Sequence, residues 1–324
     1  MKREKTYKIV VHFVESGIMS GRFHIGDKIP SVNAFKIKYG ISRSSIFQAM
    51  AELESRGLIE AEPAVGYFIA SESVEISENI LFLCDEVNEF KEVVWKSFMT
   101  EIGKGSNVDL MFHNYNRTVF ETLLKNANGK YTSFVLFTVR FPGIEPLLKS
   151  LSGHIVLADN IESGLLGKYS SVRQDFSRDT YNALLYGLDR IRKYKRIILI
   201  QNSIKEPQER YDGLCRFSEE NGFAHKMVSK IDDCTIQRGD LYITPEDLEL
   251  VKILKLAEKV NLVPGEDFGI ISFNDTPIKE ILHGGISCIS TDFIAMGKAL
   301  AHLVKNKEIL TEENPCKLMI RKSI

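Results

Sequence analysis

Between residues 80 and 273, short apolar runs rich in β-branched residues alternate with segments of helical period, and the alternation comes in two successive series. Ile80–Cys84, Val108–Phe112, Phe134–Thr138 and Ile155–Ala158 read as strands, with helices Phe90–Gly103, Thr118–Asn126 and Gly143–Leu151 between them. The second series is strand Arg196–Ile200, helix Glu206–Asn221, strand Leu241–Ile243, helix Pro245–Asn261 and strand Phe268–Phe273. Strands alternating with helices mean parallel, doubly wound α/β sheets. Two series within the 245 residues from 80 to 324 predict two lobes. Ligands of open α/β sheets bind beyond the carboxyl ends of the strands, so a binding cleft between the lobes is expected.

The first seventy residues have another pattern. Ile9, Val10, Phe13 and Val14 recur at helical spacing between Thr6 and Gly17. Gly21 and Gly26-Asp27 make a turn, and Pro30-Ser31 opens a second helix that runs to Tyr39 and stops at Gly40. Ser42 caps a third helix, Arg43 to about Arg56, which ends at Gly57. Two short β-like stretches, Leu58–Ala61 and Tyr67–Ala70, follow across Pro63 and Gly66. This order is that of a winged helix-turn-helix. On the third helix Ile46, Ala49, Met50 and Leu53 share the core face, while Ser44, Gln48 and Ser55 point the other way. Such a face can approach a major groove, with a phosphate at the helix N-terminus and Arg43 donating to guanine.

Charge agrees with that division. Residues 1–50 carry +6, whereas the whole 324-residue chain carries −1. A basic front on a mildly acidic body suits a nucleic-acid-binding module joined to a different kind of domain. Ser71 to Asn79, polar and acidic, reads as a linker that is either an extended tether or ordered by DNA binding. No apolar run approaches the ~18 residues of a membrane span, and the charged N-terminus does not resemble a signal peptide, so a cytoplasmic protein is expected. The five cysteines form no C-x-x-C pair and the seven histidines show no ligand spacing, so neither a disulfide framework nor a metal site is expected. Phosphate-binding, nucleophile-elbow and zinc-protease motifs are missing, and neither enzymatic activity nor a cofactor is expected. His113 and His283 are the histidines that could line a cleft.

Three stretches together resemble the DNA-binding domain of GntR-type bacterial regulators: Gly26-Asp27-Lys28-Ile29-Pro30-Ser31, Tyr39 to Ile46, and Leu53-Glu54-Ser55-Arg56-Gly57-Leu58-Ile59. By that resemblance Ser31, Arg43, Ser44, Ser45 and Gly66 fall at DNA-contact positions. Asn33 stands where the family usually has an arginine, and Phe47 where it often has another. Asn33 and the exposed-face Gln48 complete the candidate contacts. The wing, Glu60 to Tyr67, lacks the usual basic residues, so a different operator and a weaker wing contribution are expected.

The body, residues 80–324, resembles the effector domain of LacI-type repressors, which is similar to periplasmic sugar-binding proteins. The resemblance rests on Cys84 to Phe90, Val156-Leu157-Ala158-Asp159, Val172 to Asp175, Tyr194 to Ile197, Arg210-Tyr211-Asp212-Gly213, Pro264 to Asp275, and Met296-Gly297. It implies a sugar or other small polar effector. Arg210 matches the family's effector-binding arginine, and Asn274 falls where an aspartate is common. Phe90, Asp159 and Thr291 are further candidates, Thr244-Pro245 replaces a usual Asn-Asp, and His283-Gly284-Gly285 replaces a proline-bearing segment.

A GntR-type head on a LacI-type body is also the architecture of the arabinose repressors of Gram-positive bacteria. It implies a ligand-responsive transcription regulator, expected to be a homodimeric repressor of a carbohydrate operon that binds double-stranded operator DNA. Its effector would be a monosaccharide or sugar phosphate that closes the lobes and respaces the heads. A non-sugar metabolite as effector, or an enzyme-like body under the head, are the alternatives.

Overall fold

A computed structural model describes residues 7–72, 74, 78–103, 105–201, 206–231 and 236–324. The head comprises α1 (Lys8–Met19), α2 (Val32–Tyr39), α3 (Arg43–Ser55) and an antiparallel hairpin of β1 (Ile59–Glu62) and β2 (Gly66–Ile69). Ser31 Oγ accepts the amide of Ala34 and Ser42 Oγ that of Ser45, each at 3.2 Å, which starts the second and third helices where their orphan donors need acceptors. Gly40 stops α2 at φ 66°, a conformation that costs other residues a Cβ clash. Val10, Val14, Phe35, Ile46, Met50 and Leu53 are buried together as the head's core. Ser55 departs from the helical-wheel expectation. It is buried, its hydroxyl donates to Glu52 O at 2.8 Å, and it lines a pocket with Arg56 and Tyr131. A wheel knows only the helix's own core and not what else covers the last turn.

The body forms two six-stranded sheets. The first series is β3 (Glu78–Cys84), α4 (Glu89–Ile102), β4 (Ser106–Phe112), α5 (Arg117–Ala127), β5 (Ser133–Phe137), α6 (Glu145–Ser150), β6 (His154–Asp159) and β7 (Ser170–Arg173). The second is α7 (Phe176–Tyr186), α8 (Leu188–Ile191), β8 (Arg196–Ile200), α9 (Glu209–Asn221), β9 (Ala224–Val228), β10 (Asp240–Thr244), α10 (Asp247–Lys259), β11 (Gly269–Phe273), α11 (Pro277–Ile281) and β12 (Ser287–Thr291). Helix α12 (Phe293–Asn306), β13 (Thr311–Glu313) and β14 (Cys316–Met319) complete the chain's elements. The sheets run β4-β3-β5-β6-β7-β13 and β9-β8-β10-β11-β12-β14. Neighbours from β3 to β7 and from β8 to β12 are parallel, and β14 is antiparallel to β12.

Two compact units result. One holds the residues up to Arg173 with Phe293–Glu312, and the other holds Gln174–Asp292 with Glu313–Ile324. The chain therefore passes between units three times. In the first unit α12 brings Met296 and Leu300 onto Phe82, Phe98 and Phe137. A Cβ at Gly297 would strike the Val94 carbonyl of α4, so this crossing requires glycine. In the second unit Leu199, Phe217, Leu241 and Ile271 share a core. Gly213 of α9 likewise lies on the Ser177 carbonyl of α7.

Some expected bounds move. Thr244 Oγ1 accepts the amide of Glu246 at 3.2 Å, so β10 extends through Thr244 and the next helix begins at Asp247, two residues after Pro245. The strand expected at Ile80 begins at Glu78, and α9 begins at Glu209 rather than Glu206. Residues 73 and 75–77 of the expected linker, and Cys234, lie outside the described residues. The four described cysteines are free thiols, with Cys84 and Cys288 buried and each pushed up to about 12 by desolvation. No helix among the described residues is long and apolar enough to cross a membrane.

Candidate functional site

In the head the N-terminal turns of α2 and α3 and the β1–β2 wing enclose one open groove. Ser31, Asn33, Arg43 and Gly66 line it together, four of the seven DNA candidates. Arg43 stands at the first helical position, exposed, with Nη2 donating to Asn33 Oδ1 at 2.9 Å. Asn33 thus orients the arginine's fork. Ser44 and Ser45 lie outside the groove, their hydroxyls 3.0 and 2.9 Å from Ser42 Oγ, and Gln48 is exposed one turn later. Gly66 has φ 145°, and a Cβ there would meet Lys28 Cε at 2.9 Å.

Sequence reasoning missed several residues of this groove, among them Lys28, Phe47 and Val65. Lys28 reaches the wing from outside it, its Nζ 5.8 Å from the Phe68 ring centroid, and gives the groove a cation that the wing sequence lacks. Phe47, noted in the sequence only as a lost arginine, is 51% exposed and faces the same groove, as does Val65 at 46%. Exposed apolar side chains on a basic surface are the signal that could have pointed to them.

In the second unit, Arg210, Asn274 and Thr291 come together in one pocket at the carboxyl ends of the strands. Arg210 is 7% exposed, pairs with Glu206 through Nη1, and lies over the Phe273 ring at 4.2 Å. Its Nε has no hydrogen-bond partner. Thr291 donates to Gln174 Oε1. Asn274 has φ 56°, a left-handed bend that asparagine tolerates, and its carbonyl accepts from Lys279 Nζ at 2.8 Å. Lys279 is itself buried and also donates to Phe273 O at 2.9 Å, while Asp275, the next residue, takes two 2.6 Å bonds from Arg321. That guanidinium holds the Asp275 carboxyl below the usual range against the opposing effect of burial. The loop carrying Asn274 is thus fixed on both sides. Asp179 and Thr180 line the same pocket and were not anticipated.

In the first unit Asp159 ends β6 with φ 71°, and Lys91 Nζ lies 2.6 Å from its Oδ2 and 3.3 Å from Asp85 Oδ1. Lys91 is 7% exposed, and the two carboxylates keep its ammonium charged despite desolvation. Phe90 is half-buried, stacked on Phe293 at 5.0 Å. His113 is a core residue, fully buried with Nε2 2.8 Å from Phe137 O and its basicity lowered by burial. His283 is exposed in a short turn.

Comparison with known proteins follows this division. Residues 6–69 match the family described as bacterial regulatory proteins, gntR family. An uncharacterised HTH-type transcriptional regulator of Bacillus subtilis, YcxD, is 33% identical over 67 residues, 21% of this chain and 15% of that protein. The chain thus spans about 15% of the length of the curated relatives it matches first. Among solved structures, a probable maltose operon transcriptional repressor, malR, of Staphylococcus aureus superposes with a TM-score of 0.62 at 14% identity, covering 76% of this chain and 97% of the other. A LacI family regulator from Enterococcus faecium with bound ribose gives 0.61 at 16% identity, covering 76% and 98%. The chain joins a GntR-type winged helix-turn-helix DNA-binding head to a body with the two-sheet α/β fold of LacI-type regulators.

Proposed function

We propose that this protein is a ligand-responsive transcription regulator that binds double-stranded operator DNA through the head groove and a sugar at the Arg210 pocket. The observation that carries the reading is the groove itself. A helix N-terminus, an oriented Arg43, Lys28 and a wing converge on one exposed face. Backbone amides and cations suit phosphates, and the Arg43 fork suits guanine O6 and N7. Ser31, Asn33 and Gly66 line the groove, and Ser44 and Ser45 take the adjoining DNA contacts, whereas Gln48 lines the separate pocket of Ser55, Arg56 and Tyr131 and is set aside as a contact. The protein acts in the cytoplasm as a homodimer, because one head reads one half-site of a two-fold operator.

The effector reading is supported by fold and by residue type. Arg210, Asn274 and Thr291 offer a fork of donors, an amide and a hydroxyl in one pocket, which suits vicinal hydroxyls. Phe90 and Asp159 carry the sugar reading less far, since one ring is stacked on Phe293 and the carboxylate is engaged by Lys91. The regulator represses a carbohydrate-utilisation operon, and the sugar changes its DNA affinity. Such coupling is typically ~1–3 kcal/mol and is reciprocal, so operator DNA changes sugar affinity by the same factor.

The test is genomic-fragment selection with the purified protein, followed by fluorescence anisotropy on the enriched sequence. A near-palindromic site bound with steep salt dependence is expected. Failure to enrich any sequence, or binding indifferent to salt, overturns the reading.

A further inference from the structure

The Arg210 pocket contains three buried polar atoms that the folded chain leaves without hydrogen-bond partners: Arg210 Nε, Asp179 Oδ2 and Thr180 Oγ1. Arg210 and Thr180 are more than nine-tenths buried, at 7% and 2% exposure. Such atoms cost free energy when left unmet, and the space they border, about 10 Å³, admits one group the size of a hydroxyl. The close contact at Gly213 brings about this meeting. It lays α9 directly on α7 at Ser177 and Thr180, one turn from Arg210. A donor without an acceptor and an acceptor without a donor on residues of one pocket suit a group that does both, and a hydroxyl is such a group.

The charges point the same way. Arg210 is the one cation among the described residues lining the pocket, and Glu206 already pairs with it. Asp179 adds a carboxylate whose other oxygen is 3.7 Å from Arg178 Nη2, and Arg178 also pairs with Glu313. A phosphate ester brings up to two negative charges and needs several unengaged donors. Here it would face a carboxylate instead.

We propose that Asp179 is a specificity-determining residue of this pocket, which takes an uncharged polyol, one hydroxyl accepting from Arg210 Nε and donating to Asp179 Oδ2, and rejects phosphorylated sugars. The inference rests on the sugar reading above and narrows it from monosaccharide or sugar phosphate to the free sugar. Asp179 is pushed up to about 6 by burial and by Asp175, against Arg178. The carboxylate form is the better acceptor, so affinity should rise as pH rises through that region. The other ionisable groups around it are Arg210 with Glu206 from the α9 side and the Cys316 thiol of β14, which burial holds near 12.

The experiment is thermal shift followed by calorimetry on the full chain, using matched pairs: ribose and ribose 5-phosphate, glucose and glucose 6-phosphate, and the other common pentoses and hexoses with their phosphates. A response to a free sugar but not to its phosphate is expected. Asp179→Asn should then weaken that sugar about tenfold or more and flatten its pH dependence around 6, the loss of one hydrogen bond to a charged group. A phosphate bound in preference to its free sugar overturns this inference and leaves the sugar reading standing. So does Asp179→Asn binding the free sugar unchanged. Silence across every pair overturns the sugar reading itself, and this inference with it.

Discussion

The two units of the body are built alike and finish the same corner differently. Each has a left-handed residue at the end of its fourth strand in chain order, Asp159 closing β6 and Asn274 following β11. Each also places a buried cation in the first turn of the helix after its first strand: Lys91 in α4 and Arg210 in α9. In the first unit the cation lies between two carboxylates, Asp85 and Asp159, and the cluster is closed. In the second, Arg210 has one carboxylate partner and an idle Nε, and Asp179 and Thr180 wait beside it. A fold therefore provides the corner, and the accounting of hydrogen bonds separates a corner that closes on itself from one that leaves groups unmet.

Breaking the closed corner should have the largest effect. Lys91→Met leaves Asp85 and Asp159 buried without their cation, which should cost about 3–5 kcal/mol of stability in urea unfolding. An unchanged midpoint would mean that the cluster holds nothing together. In the open corner, Arg210→Ala should fold and bind operator but lose its response to sugar. A mutant still released by the effector shows that the pocket is elsewhere.

The head gives the middle of the range. Arg43→Ala should weaken operator binding by about 1–3 kcal/mol and relax discrimination at one base pair, with sugar affinity unchanged. Phe47→Ala should cost less, because an apolar contact to a thymine methyl is what a phenylalanine can offer a major groove. Anisotropy titrations on operators mutated one base pair at a time check both, and loss of binding spread evenly over all positions counts against base readout.

The smallest effect is the most diagnostic. With its folded value near 6, Asp179 keeps its proton between about pH 4 and 6 while the unfolded chain has lost it, so stability falls as pH rises through that window. At neutral pH the buried carboxylate is a cost that Asp179→Asn removes. The variant should melt about 2–4 °C higher at pH 7 and equal the wild type at pH 4. A residue whose removal stabilises the protein and weakens its ligand is doing functional rather than structural duty.

Much of this was legible in the chain. Ser31, Gly40 and Ser42 set helix bounds through their own side chains or φ, and such local chemistry survives without tertiary context. The alternation of apolar runs gave the parallel sheets for the same reason. What escaped depends on distant partners. β9, Ala-His-Lys-Met-Val, is an edge strand with few apolar positions, β12 and β13 are rich in Ser, Thr and Glu, and β14 is only four residues long. Lys91 and Asp179 look like ordinary surface charges in sequence, because burial and idle hydrogen bonds exist only once helices have met.

The position of α12 has a consequence on the ribosome. The core around Phe82 and Phe98 is filled by Met296 and Leu300, some two hundred residues later in synthesis, whereas the head's core is complete by Ile69. A nascent chain therefore holds a finished winged helix-turn-helix head long before it holds a finished body. A chain halted or clipped in the interval carries a folded head on a body whose first sheet still lacks the helix that covers one of its faces.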